Sequence, residues 1–248
     1  MTVTSNELGV SAGIPAGGHG AGLGGGQSLG EQERACHDLL VRLAGRLPDR
    51  LLWRLRDWLG TGAHATLART LPKSLLRHRI GITESERDLL EASLVHWGAP
   101  QRSLDAVLPV ADLAEPTVSF RSDLDPGEPC GDVSTHGGWR DSVDLALVAV
   151  VRGHPGAKEL RRSWRMDQPR PRRVVLAHVT EELPALTGTL QRVLRAHGDL
   201  TPCVELVSFP LALPPYHRAA LRDSVSLWRA PGQESSNRRA AAGDLADA

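Results

Sequence analysis

From Ser28 onward the apolar positions fall at helical spacing. Ala35, Leu39, Leu43 and Leu47 recur every four residues with Cys36 and Leu40 beside them, which makes one apolar stripe on one helix. Ser28 and Glu31 precede it three residues apart, so the Ser hydroxyl and the Glu carboxylate can satisfy the first free helical N–H groups. Pro48, which lacks the N–H that the ladder needs, stops this helix. A second helix follows, capped by Asp49, with Leu51, Leu52, Leu55, Trp58 and Leu59 on its buried side and Gly60 at its end. Short helices fit 63–71 and 73–80, broken at Pro72 and ended by Gly81. Thr83 and Glu86 repeat the capping spacing ahead of Leu89, Leu90, Leu94 and Trp97, and Gly98 and Pro100 terminate that last helix. Residues 28–98 thus read as a helical bundle.

The period then changes. Residues 99–142 carry Pro100, Pro109, Pro116, Pro126 and Pro129 and read as an acidic, Pro/Gly-rich connection; Val118 and Phe120 alternate with polar neighbours, as in a lone edge strand. Beyond it come three short Val/Leu-rich runs: 143–151, 173–179 and 203–209. Leu183, Leu186, Leu190, Val193 and Leu194 have helical spacing between the second and third, and a helix over 215–222 leads to a strand over 225–228. Apolar runs alternating with amphipathic helices predict a parallel sheet covered on both faces, with 143–151 fitting a strand or a buried helix, the strand favoured, and 158–166 as a basic helix. The expected fold is therefore α/β overall: a bundle over 28–98, then a small α/β layer over 143–230. Residues 1–27, where glycine is crowded between Gly17 and Gly26, and residues 231–248 have little to bury and read as disordered tails.

Composition adds limits. The 29 Lys+Arg balance the 29 Asp+Glu, so the excess of cations typical of a nucleic-acid coat or polybasic membrane binder is missing. Only Lys73 and Lys158 are lysines; with Ala, Gly and Pro abundant, the arginine content reads as high-GC coding. No run reaches the ~18 apolar residues of a membrane span, and no basic segment followed by an apolar one opens the chain. Cys36, Cys130 and Cys203 are sparse and odd in number, which speaks against a disulfide framework and a structural zinc site. A cytoplasmic protein without metal or cofactor is the expectation. The neutral total conceals segregation: 42–87 carries ten Arg/Lys against four Asp/Glu, whereas 105–144 carries nine acids against Arg121 and Arg140. The acidic connection is therefore expected to lie across the basic bundle or the basic segment 158–166.

Three segments are candidates for chemistry. Residues 63–80 resemble a helix-turn-helix, with Arg77 and Arg79 on a basic second helix, although Pro72 sits where the turn favours Gly and the same letters fit a solvated bundle. The strand ends bring Gly153, His154, Gly156 and Lys158 after one run, and His178, Thr180 and Glu181 after another; ligands of parallel sheets bind at such ends. That Gly-Lys loop lacks the length and the Ser/Thr of a phosphate loop, and Thr180 with its acids is also an ordinary helix start. The loop Cys130 to His136, with Asp141 and Asp144 beyond it, would need a base beside the thiol or a metal-ligand spacing that it lacks. His37, His64, His96, His197 and His217 read as surface or helix-end residues. Trp58 and Trp97 read as packing anchors, and Trp53, off the stripe, as the tryptophan that contacts a partner. No catalytic residue stands out. A non-enzymatic interaction or adaptor protein, with another protein as its partner, is the leading reading. A DNA-binding regulator using 63–80 and a ligand-binding or enzymatic domain using His154, Lys158 and His178 are the alternatives.

Overall fold

The computed structural model describes residues 28–113, 117–124, 141–167, 170–208 and 213–231. They form helices α1 (Leu29–Arg42), α2 (Asp49–Gly60), α3 (His64–Arg77), α4 (Glu84–Leu94) and α5 (Gln101–Asp105). Strand β1 (Phe120–Arg121), helix α6 (Ser142–Arg152), strands β2 (Ala157–Arg165) and β3 (Arg172–Val179), helix α7 (Leu183–Ala196), strand β4 (Cys203–Val207), helix α8 (Pro215–Arg222) and strand β5 (Val225–Arg229) follow.

Both capping boxes form as the spacing requires. The Ser28 N–H donates to Glu31 Oε2 at 2.8 Å and the Glu31 N–H returns to Ser28 Oγ at 3.3 Å; Thr83 and Glu86 repeat the pair. Helix α1 buries Cys36, Leu39, Leu40 and Leu43 in the bundle core, and it also buries His37 and Val41 toward the sheet. Helix α3 departs from expectation. It runs unbroken from His64 to Arg77 with Pro72 inside it, because Leu67, Ala68, Leu71 and Leu75 on its inner side are all fully buried. Their packing outweighs the one ladder bond and the clash that an interior proline costs, about 3 kcal/mol. The turn that closes α3 is made at Arg79, which adopts φ 54 while the Ile80 N–H donates to Leu75 O and the Arg79 N–H to Leu76 O, a closing turn that usually uses glycine. Gly60 also serves another purpose than expected: a Cβ there would lie 2.7 Å from Pro184 O, so its absence lets α2 cross closely over α7.

The sheet order is β1-β2-β3-β4, with β5 pairing β2 on the same side as β1. Only β3 and β4 are parallel; β2 runs antiparallel to β1, β3 and β5, so the sheet is mixed rather than parallel. Two misread segments account for that. Residues 142–152 are a helix, not a strand, and 157–165 are a strand, not a basic helix. An unbroken apolar run carries no period to separate strand from helix, and the Asp141 side chain, accepting from the Asp144 N–H at 2.8 Å, starts the helix. In β2 the arginines hid the alternation, because they point inward and are paired there.

One sheet face, with Val175, Ala177, Val204 and Leu206, packs under α6 and α7. The other, with Val174, Leu176 and Cys203, joins the core of α1 to α4 together with Phe120, Tyr216 and Ala220. The connection 99–142 contributes structure of its own: α5, a parallel bridge between Ile82 and Pro109, and β1 at the sheet margin.

Candidate functional site

The carboxyl ends of β3 and β4 form the only parallel strand terminus among the described residues, the location at which α/β sheets bind ligands. Strand β3 leads through Thr180, Glu181 and Glu182 into α7, and Glu182 is held at φ 49. From α1, Arg34 reaches across both strand ends. Its Nη2 donates to Ser208 Oγ at 2.8 Å and its Nη1 to Thr180 O at 3.4 Å. Two open clefts flank Val207. One is bordered by Asp38, Arg42, Leu206, Ser208 and Pro214. The other is bordered by Glu159, Arg161, Leu176, His178 and Leu221. Burial pushes the Asp38 carboxyl up, against the opposing pull of Arg34 and Arg42.

The sequence candidates reach this edge but do not converge. His178 alternates with Val179 and therefore faces the Leu176 side, beside Glu159. Burial lowers its ring's pKa, only partly countered by Glu159. Glu159 is itself engaged: its Oε1 accepts from Arg161 Nη1 at 2.6 Å and from Arg229 Nε at 3.0 Å, and these bonds outweigh burial and hold its carboxyl below the usual range. His154 lies on the opposite side, after α6, with Nε2 3.6 Å from Glu182 Oε2 and no hydrogen-bond partner for either ring nitrogen. Gly156 (φ 72) fits tightly under Thr180, whose Oγ1 would lie 2.6 Å from a Cβ there. The expected His154, Lys158 and His178 group is thus divided between the two faces.

The other candidates resolve differently. Residues 63–80 hold one continuous helix and its closing turn, so the two-helix geometry of a helix-turn-helix does not form; Arg77 and Arg79 are exposed at its end. Cys130 and His136 lie outside the described residues. Asp141 and Asp144 are ion-pair partners of arginines: Arg173 Nη1 donates to Asp144 Oδ1 at 2.6 Å, Arg173 Nη2 bonds Asp141, and Arg162 Nη1 donates to Asp144 Oδ2 at 2.5 Å. Asp123 also lies 3.3 Å from Arg162, so acids of the 105–144 segment do meet basic residues of β2 and β3. Trp53 is buried inside the molecule, with the Arg195 guanidinium of α7 4.5 Å from its ring, rather than presented to a partner.

What the sequence reading missed is a buried ionic cluster. Glu205, 1% exposed in the middle of β4, accepts from Arg56 Nη1 at 2.8 Å and Nη2 at 2.6 Å and from His217 Nε2 at 2.8 Å. Arg56 also donates to Val204 O at 2.6 Å and Leu40 O at 3.1 Å. These arginine and histidine contacts overcome burial and hold the Glu205 carboxyl at about 2. Beside it His37 Nε2 meets Leu206 O at 2.9 Å, and burial keeps its pKa down at about 4. His37 and His217 are therefore core residues, not surface ones. A signal was present: a glutamate inside an otherwise apolar strand is almost never buried unpaired. The cluster joins α2, β4 and α8.

Among the described residues no three His, Cys, Asp or Glu side chains are grouped to hold a metal ion, and no helix is long and apolar enough to cross a membrane. In comparison with known proteins, the chain matches no family model, no curated protein and no solved structure.

Proposed function

We propose that this chain is a non-enzymatic interaction module whose partner is a protein. One observation carries the reading: the outer side of α6. The helix Ser-Val-Asp-Leu-Ala-Leu-Val-Ala-Val-Val-Arg is apolar almost all round, yet only Asp144, Leu147 and Val151 are buried. Leu145 is 54% exposed and Ala149 is exposed on the same side, while Val143, Val148 and Val150 pack partly buried against the core. A helix that is apolar on every side is normally covered on every side. The test is a photo-crosslinking side chain in place of Leu145, compared with one in place of the exposed Arg102 on the bundle. Adducts of discrete mass from 145 and none from 102 are expected in the native cell. If position 145 yields no discrete adduct, the reading fails.

A second reading, a small-ligand site at the strand ends, is favoured by the two clefts beside Val207. It ranks lower because Glu159 and Arg161 bind each other and Arg34 is occupied by Ser208 and Thr180. It expects Arg42→Ala to abolish a ligand-induced rise in melting temperature seen in a metabolite screen.

A further inference from the structure

We infer that the seam between α2 and α7 binds the phosphate backbone of double-stranded DNA without reading its sequence; this goes beyond the protein partner proposed at α6 and does not depend on it.

Two glycines and a tryptophan build the seam. Helices α2 and α7 cross closely, with Gly60 against Gly188 at one end and Trp53 against Arg195 at the other, so the two run antiparallel. Four guanidiniums gather along this line. Those of Arg195 and Arg54 lie 4.5 Å and 5.9 Å from the centre of the Trp53 ring. Arg192 folds back over the crossing: its Nη1 would lie 3.3 Å from a Cβ on Gly188, and its Nη2 donates to Thr189 Oγ1 at 3.0 Å. Arg50 stands one turn before Arg54 on the same side of α2. All four are exposed.

Elsewhere the fold pairs its arginines. Arg46, Arg56, Arg161, Arg162, Arg165 and Arg173 each hold a carboxylate. Among the described residues none of the four seam arginines does. Asp123, Asp141 and Asp144, from the connection expected to cross the bundle, are engaged by β2 and β3 instead. Asp49 turns to Arg165, which leaves Asp57 as the other acid within α2, and α7 contains none. Like charges one turn apart destabilise a helix, and an anionic partner reverses that cost.

Charge density identifies the anion. From residue 50 to residue 60 the seam is about 15 Å long. One strand of a DNA duplex presents a phosphate about every 3.4 Å of axis, or about four over that length. An extended acidic peptide turns alternate side chains to one face and offers only about two. A membrane surface also needs apolar side chains to bury beside the charges, and the exposed Thr61, Ala185 and Ala196 supply none. Trp53, 8% exposed beneath its arginines, leaves no free face for an unpaired base, which favours the duplex over a single strand. Two helices side by side are too broad to enter a groove together, so contact stays on the backbone.

Fluorescence anisotropy of the full chain with labelled duplexes of two unrelated sequences tests this. Equal binding to both is expected, with a log–log salt slope of about −3 to −4 and roughly 100-fold weakening between about 50 and 200 mM salt. Arg54→Gln and Arg192→Gln should each reduce the slope by about 1. Reversing both to Glu should abolish binding while the melting curve stays as in the parent, and Asp57→Asn should tighten it. Arg102→Glu on α5 and Arg77→Glu on α3 should leave the slope unchanged. Absence of binding at low salt, a slope near zero, or binding lost in Arg77→Glu but kept in the seam variants overturns the inference. Capture of poly-glutamate or of phosphatidylserine vesicles in place of the duplex overturns it as well.

Discussion

At the β4 edge of the sheet, helices α1 and α2 wrap around the strand and donate to its backbone: Arg56 to Val204 O and His37 to Leu206 O. All five β4 residues are buried. At the β5 edge, no described strand pairs on the outer side, and the helix above it turns Leu145 and Ala149 to solvent. The same sheet is closed on one side by buried charge and left open on the other beside apolar surface. Closing an edge with an arginine requires that its charge be matched, which is why Glu205 lies in the middle of a buried strand. Leaving an edge open requires no buried charge, and β5 has none. The buried ionic cluster is thus a sealing device, and its position marks where the sheet is meant to stop.

The largest break in this contrast is Arg56→Ala, which strands Glu205 in the core and uncovers Val204 O. Removing one partner of a buried pair typically costs 3–5 kcal/mol, so a strongly lowered urea midpoint is expected. Replacing Arg56 and Glu205 together by Met should restore much of that loss. The next effect is acid-dependent. His37 has a pKa of about 4 in the fold against 6.5 when exposed, so on acidification the unfolded chain takes up the proton first. Its contribution is full above about 6.5 and is lost as pH falls toward about 4, on the order of 3 kcal/mol in all. His37→Gln, which retains a donor for Leu206 O, should flatten stability over that window in pH-stepped denaturation. Glu205 acts lower, its contribution present above 4.5 and lost toward about 2. Gly60→Ala, which presses a methyl against Pro184 O where α2 crosses toward the sealed edge, should cost about 1–3 kcal/mol of thermal stability. Smallest is Leu145→Glu at the open edge, expected within about 0.5 kcal/mol in stability.

Local signals in the sequence carried much of the fold. Both capping boxes, the stripe of α1, helix 215–222 and the strand at 225 are set by neighbouring residues and were legible as such. Features set by distant residues were not. Strand β2 carries Arg161, Arg162 and Arg165, and each becomes a strand residue only because Ser224, Asp144 and Asp49 arrive from elsewhere to pair with it. Pro72 was read as a break because a proline's cost is local, whereas the burial that overrides it is not. The apolar run at 143–151 has no period to read, and as helix α6 it leaves Leu145 and Ala149 on an exposed side. Of the candidate groups, His178 does lie near a strand end, whereas His154 follows helix α6 rather than a strand, and on which face each lies depends on strand pairing.

The sealed edge has a consequence for how the chain is assembled. Arg56 and Glu205 are 149 positions apart, and His37 and Leu206 are 169 apart. Contacts of such long separation form late and slow folding. During synthesis the bundle emerges first, and until residue 205 has left the ribosome Arg56 has no carboxylate to meet and stays hydrated. The strand that carries Glu205 is therefore the one that removes the Arg56 charge from water, and the bundle locks onto the sheet only after residue 205 has left the ribosome.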